Sequence, residues 1–261
     1  MTEQLLDILH EDDDFLVVNK PAGLVCHPTK GDQFSSLVSR VRLHLGGGSL
    51  PHLVHRLDRE TSGVVLFART PESARDLGRI WETRGVTKEY LAVVHGWVEA
   101  DKGVLDAPLG KDLASRVAIK NTVREDGAAA QTGFEVARRF SKLVPDVPEV
   151  RTAIQKPFSL LRVRPLTGRK HQIRIHLASC GHPIVGDKLY GGDEDLYLAL
   201  VENRLTREQR IRLILSNHAL HAASLEFAWL DRHCRFEAEP GREFAEMAGP
   251  GDYLGAFPSN I

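Results

Sequence analysis

Apolar and polar positions alternate along this chain with two periods, and the breaks between them outline an α+β pattern. Phe15-Leu16-Val17-Val18-Asn19 reads as a strand, stopped by Lys20-Pro21-Ala22-Gly23, where proline and glycine enforce a turn. Phe34, Leu37, Val38, Val41 and Leu45 recur at helical spacing, with Arg40, Arg42 and His44 elsewhere on the cylinder. Gly46-Gly47-Gly48 ends that helix; no strand precedes these glycines and no Lys-Ser/Thr follows, so they read as a loop and not as a phosphate cradle. Gly63 to Ala68 is almost continuously apolar, which predicts a strand buried on both faces. Thr70-Pro71-Glu72 supplies a cap, a first-turn proline and an early acid for a helix running to about Arg84, where Gly85 stops it. Lys88 to Val98 is the next strand.

From Gly103 to Phe140 the apolar runs shorten and turns multiply, as in a lobe of hairpins. Pro145 to Pro157 reads as a loop, and Phe158 to Arg164 as an alternating strand with one exposed face. Thr167-Gly168-Arg169 is expected to open a helix through Ser179, closed by Cys180-Gly181-His182-Pro183. Gly186 to Gly192 is rich in turn residues, Thr206 to Asn217 predicts a helix, and Ala219 to Trp229 a last strand. Beyond Pro240 one short helical pattern remains, at Phe244 and Met247. The expected division is a lead-in over 1–14, one domain over 15–240 and a tail over 241–261.

Composition adds little until charge is resolved along the chain. With 42% hydrophobic and 26% charged residues over 261 positions, the chain is ordinary for a globular protein. Three scattered cysteines, Cys26, Cys180 and Cys234, offer no disulfide framework and fit a reducing, cytoplasmic setting. No apolar run approaches the ~20 residues that a bilayer requires, so no membrane role is expected. A net charge of −1 hides a local excess. Between Arg151 and Val185 there is no acid, whereas Arg151, Lys156, Arg162, Arg164, Arg169, Lys170 and Arg174 all fall there, beside His171, His176 and His182. Placed in the first turns of a helix, Arg169, Lys170, His171 and Arg174 would oppose its dipole unless an anion such as phosphate joined them.

A second concentration of charge lies in Leu53-Val54-His55-Arg56-Leu57-Asp58-Arg59-Glu60-Thr61-Ser62-Gly63. A carboxylate between two arginines, in a segment leading into a buried strand, costs desolvation unless it pairs or does chemistry. Taken alone, the pattern is equally compatible with a surface cluster at a strand end, worth little to stability. His52, His55 and Cys26-His27 lack the spacing of zinc ligands, and no nucleophile elbow or Walker sequence is present.

Together these residues resemble the RluA-type RNA pseudouridine synthases. The family signature His-Arg-Leu-Asp-x-x-Thr-Ser-Gly stands at His55 to Gly63, preceded by Asn-Lys-Pro-Ala-Gly at Asn19 to Gly23. Lys-x-Tyr follows at Lys88 to Tyr90, Thr-Gly-Arg-x-His-Gln-Ile-Arg at Thr167 to Arg174, Gly-His-Pro-Ile-Val-Gly-Asp at Gly181 to Asp187, and Leu-His-Ala at Leu220 to Ala222. The resemblance implies the pseudouridine synthase fold: a long mixed, mostly antiparallel sheet, flanking helices and a central catalytic cleft. It implies an isomerase that turns uridine into pseudouridine in RNA, with neither cofactor nor metal; the substrate is expected to be structured RNA, a ribosomal or transfer RNA stem-loop, and the protein a monomer. Asp58 would be the catalytic carboxylate. Tyr90 would pack on the flipped uracil and serve proton removal at C5, Arg174 would keep Asp58 ionised, and Arg56 would help extrude the base. Leu220 would wall the pocket, while Arg59, Arg169, Lys170 and His171 would contact the RNA. Many members of the family carry an N-terminal S4-type RNA-binding module, for which residues 1–14 leave no room. Two other readings are weaker. A nucleoside hydrolase would usually need a second carboxylate, and a non-catalytic RNA-binding module would not be expected to keep both Asp58 and Tyr90.

Overall fold

The computed structural model describes residues 5–28, 35–47, 50–145, 153–251 and 253. In chain order the elements begin with β1 (Asp7–Glu11), β2 (Phe15–Lys20), α1 (Leu37–His44), β3 (His52–Leu53), β4 (Ser62–Ala68), α2 (Pro71–Glu82) and β5 (Val86–His95). Then follow β6 (Lys102–Asp106), β7 (Leu109–Lys111), β8 (Asn121–Val123), β9 (Gln131–Pro145), β10 (Ala153–Pro165), α3 (Gln172–Ser179), α4 (Asp195–Val201) and α5 (Arg207–Leu213). β11 (Leu220–Trp229), β12 (Arg232–Glu237) and α6 (Arg242–Ala248) complete the α+β fold. Contacts divide the described residues into two units. One draws on Met1–Glu89, His221–Ala245 and Pro250–Gly255; the other on Tyr90–Leu220, Glu246–Gly249 and Ala256–Ile261.

In the first unit β2 pairs antiparallel with β1 and β4, β3 with the far end of β4, and β12 with β11. β4 and β11 run parallel, joined at His221↔Ser62 and Ala222↔Gly63. Gly63 is obligatory there: its φ is +113°, and a Cβ would lie 2.1 Å from the Ala222 carbonyl oxygen. All of β4 from Gly63 to Ala68 is buried, as its unbroken apolar run predicts. α2 starts where expected, with the Thr70 hydroxyl accepting from the Ser73 amide at N3. It packs Leu77, Ile80 and Trp81 into a core with Phe15, Val17, Leu66, Phe227 and Trp229.

In the second unit β10 lies between β5 and β9, and β6 borders β9. This overturns two expectations. Ala153 to Pro157 belong to β10 and pair with Ser141 to Pro145, so the ends of the expected loop are strand; residues 146–152 lie outside the described residues. Phe158 to Leu161 are all buried, not alternately exposed. A bulge between Leu160 and Leu161 in the ladder with β9 breaks the alternation, and α3 packs against β10. α5 ends at Leu213, short of Asn217, because Ile214 takes a positive φ of 67°. Phe34 and Gly48 lie outside the described residues.

Candidate active site

Asp58 stands in an irregular loop between β3 and β4, and the loop is fixed mainly through its backbone. The Leu57 carbonyl accepts from the Cys26 thiol at 3.4 Å. The Arg59 carbonyl accepts from the Gly23 amide at 2.9 Å and from Lys20 Nζ at 3.1 Å. Thr61 N–H returns to the Asp58 carbonyl at 3.2 Å, closing a tight turn. Lys20, at the end of β2, is wholly buried and also donates to the carbonyls of Pro21 (2.9 Å) and Leu24 (2.8 Å). Burial pushes its pKa down to about 8, a fall that the negative charge of Asp58 opposes. The Asn-Lys-Pro-Ala-Gly turn is thus the brace of the Asp58 loop.

Upstream, His55 accepts the Leu66 amide at Nε2 (3.2 Å) and stacks on Trp81 at 5.2 Å. Burial, with Lys88 nearby, pushes its pKa down to about 3, so the ring is neutral and serves as packing and acceptor. Asp58 itself is half-buried, flanked by the exposed Arg56 and Arg59, with Arg59 Nε donating to the Gly23 carbonyl at 3.1 Å. A partly open carboxylate on a braced loop, between two cations facing water, can act on an anionic substrate as a base or nucleophile.

The remaining predicted residues belong to the second unit. Tyr90 is half-buried on β5, opposite Val163. Leu220 is buried at the start of β11. Arg174, in α3, makes a two-pronged pair with Asp187: Nε to Oδ2 at 2.7 Å and Nη2 to Oδ1 at 2.9 Å. Burial alone would raise the Asp187 pKa, but the guanidinium and the amide of Tyr190 hold it well below the usual carboxylate range. The guanidinium also lies 5.0 Å from the centre of the Tyr190 ring, whose hydroxyl meets His171 Nδ1 at 2.8 Å.

Arg169, Lys170 and His171 are not in the first turn of a helix. α3 begins at Gln172, and His171 before it is left-handed, φ 56°. The side chain of Gln172 folds back instead. Its oxygen accepts from the Arg169 amide (2.9 Å) and the Thr167 hydroxyl (2.7 Å), while its nitrogen donates to the Gln131 carbonyl (2.8 Å). The basic residues therefore form a loop knotted onto β9. Arg169 and Lys170 are exposed, and Arg169 Nε reaches the Ala129 carbonyl at 3.2 Å. A phosphate bound here would meet side chains, not a helix dipole.

Sequence reasoning missed Lys20 and Cys26 as the brace of the Asp58 loop, and Gln172 and Asp187 as the partners that fix the Arg169 loop and Arg174. One signal was available. In the run Phe15 to Lys20, period two puts Lys20 in phase with Leu16 and Val18, both buried.

The sequence model described as RNA pseudouridylate synthase matches residues 14–179. A Bacillus subtilis (strain 168) protein named uncharacterized RNA pseudouridine synthase YlyB is 34% identical over 93% of this chain and 71% of its own length. Ribosomal large subunit pseudouridine synthase D of Xanthomonas campestris pv. campestris is 37% identical over 85% of this chain, which spans 61% of that relative. Among solved structures, human RNA pseudouridylate synthase domain containing 1 superposes with a TM-score of 0.69 at 25% identity, covering 92% of this chain and 86% of the human one. With signature, fold and relatives in agreement, this chain belongs to the RNA pseudouridylate synthase family, isomerases that turn uridine into pseudouridine within RNA.

Proposed function

We propose that this chain isomerises specific uridines in structured RNA, ribosomal or transfer, with Asp58 as the catalytic carboxylate. The observation that carries the reading is the braced loop: Lys20, Cys26 and Gly23 hold its backbone while Asp58 stays partly open beside exposed Arg56. In the reaction the N1–C1′ bond of the nucleoside breaks and a C1′–C5 bond forms, and the proton lost from C5 is balanced by one gained at N1. Asp58 acts as the ionised group, with Arg174 as its counter-ion. Tyr90 packs on the uracil and assists departure of the C5 proton, and Leu220 lines the apolar side. Leaving the stack costs the target base a few kcal/mol. Arg56 helps to extrude it, and phosphate contacts from Arg59, Arg169, Lys170 and His171 offset the cost. Residues 15–240 form the catalytic domain in this reading, and the protein works as a cytoplasmic monomer without cofactor. No helix among the described residues is long and apolar enough to cross a membrane.

Asp58→Asn tests the reading, because it keeps shape and removes charge. The expected result is near-complete loss of tritium release from RNA carrying 5-tritiated uridine, with RNA affinity kept within a few fold. Turnover within ten-fold of the parent would remove Asp58 from the mechanism. Pseudouridine mapping of total RNA from cells with and without the gene identifies the target.

A further inference from the structure

We propose that Ser62 and His221 form a clasp that positions the Asp58 loop, and that their hydroxyl-to-imidazole bond controls turnover. The proposal rests on the reading of Asp58 as the catalytic carboxylate. Ser62 opens β4, at the exit of the loop, and its Oγ lies 2.9 Å from His221 Nδ1 on β11. His221 Nε2 lies 2.7 Å from the Ala238 carbonyl oxygen. A carbonyl only accepts, so Nε2 carries the hydrogen. The ring is fully buried, and burial pushes its pKa down to about 4, so it is neutral and Nδ1 offers a lone pair. Ser62 must therefore donate. The direction of every bond in the clasp is fixed.

The backbone needs that reinforcement at this point. β4 meets β11 through two residue pairs in parallel register, which is slightly less stable per residue than antiparallel pairing. The entrance of the loop is held at Leu57 and Arg59, and its turn is closed by Thr61 on Asp58. Ser62 supplies the hold at the exit. Without it the exit keeps only backbone ladders, to β2 from Gly63 onward and to β11 at Ser62 and Gly63, and a shift of about 1 Å at a reacting group can cost on the order of a hundred-fold in rate. A serine hydroxyl aimed at an oriented imidazole also activates nucleophiles in other enzymes. Here the buried ring is too weak a base at neutral pH, and a neutral carbonyl behind it gives an imidazolium little support. Ser62 and His221 are positioning residues.

Asparagine places its amide near the position of Nδ1, and glutamine near that of Nε2. His221→Asn therefore keeps the acceptor for Ser62, whereas His221→Gln keeps the donor to Ala238. Tritium release would be measured over a range of concentrations of total RNA, labelled with 5-tritiated uridine in a strain lacking the gene. Ser62→Ala and His221→Gln are expected to lose roughly ten- to a hundred-fold in turnover, with half-saturation within about two-fold of the parent. His221→Asn should stay within about three-fold in turnover. If Ser62→Ala does not fold, Ser62→Cys takes its place, and its weak S–H donor should still lose about ten-fold. Parental turnover in the Ser62 variant, or equal losses in the two His221 variants, would overturn the clasp. Parental turnover in Asp58→Asn, run alongside, would overturn the reading of the site instead, whatever the clasp variants do.

Discussion

Asp187→Asn exchanges one oxygen for an amide at a carboxylate that accepts four hydrogen bonds: two from Arg174, one from the Leu189 amide and one from the Tyr190 amide. The amide oxygen can replace Oδ1, which receives three of them, but its NH2 group then faces Arg174 Nε, donor against donor. The guanidinium, on a side chain 9% exposed, loses its two-pronged pair with Asp187. Removing one member of a buried pair costs about 3–5 kcal/mol, which in a chain of this size lowers Tm on the order of 10 °C. Urea unfolding at pH 7 should show a lower midpoint with an unchanged slope. Because the folded-state pKa of Asp187 lies below the ordinary value, its contribution is present above about pH 4 and fades as pH falls further. The gap between parent and variant should close over that range. Arg174→Met should cost less when combined with Asp187→Asn than in the parent, since the pair is already broken. A loss under about 1 kcal/mol at pH 7, or a gap undiminished at pH 3, would refute this account of the pair.

Other outcomes follow from the same geometry. His55 and His221, held near pKa 3 and 4 by burial, are charged more readily in the unfolded chain. Stability should therefore fall from pH 6.5 towards pH 4, His221 alone contributing about 3 kcal/mol; a flat urea midpoint over that window would contradict it. Neutralising Arg169 and Lys170 to Gln should make the plot of log affinity for RNA against log salt shallower by roughly one to two units, with turnover at saturating RNA falling less than three-fold; an unchanged slope would remove them from the interface. Gly63→Ala meets both a positive φ and the Ala222 carbonyl, and should lower stability by about 3 kcal/mol or more, measured by thermal unfolding.

What was legible in the sequence follows from where the determining interactions lie. β4 could be read because burial on both faces writes itself as an unbroken apolar run, and α2 because its cap is local. β3 has two residues and β1 five mostly half-buried ones, and both exist by pairing with neighbours already formed, so neither leaves a period to detect. α4 was hidden because Leu196 and Ala199 pack into a satellite cluster with Leu205 and Leu213 of the following segment, not into a main core. The same holds for the site. Asp58 and its flanking arginines are adjacent in sequence. The brace on their loop consists of side chains reaching backbone carbonyls up to 39 residues away, which no spacing rule encodes. The loop of Arg169 to His171 was mistaken for a helix start because the decisive contacts, Gln172 onto Gln131 and Thr132, span about forty residues.

Segments far apart in the chain, up to Glu89 and from His221 to Ala245, share one unit, and that has a consequence for biosynthesis. Residues up to Glu89 complete their sheet with β11 and β12, and the bond from Ser62 to His221 spans 159 positions. On the ribosome, β4 emerges with its apolar run from Gly63 to Ala68 and waits for its parallel neighbour while the intervening segment, Tyr90 to Leu220, is made. That segment holds its own strands and cores and can form first, whereas the exit of the Asp58 loop gains its partner strand only when β11 arrives. Such long-range pairing is slow, and a strand left waiting is exposed to aggregation. A nascent chain stalled before β11 would therefore carry Asp58 on a loop lacking the partner strand at its exit, a species for chaperones and not for RNA.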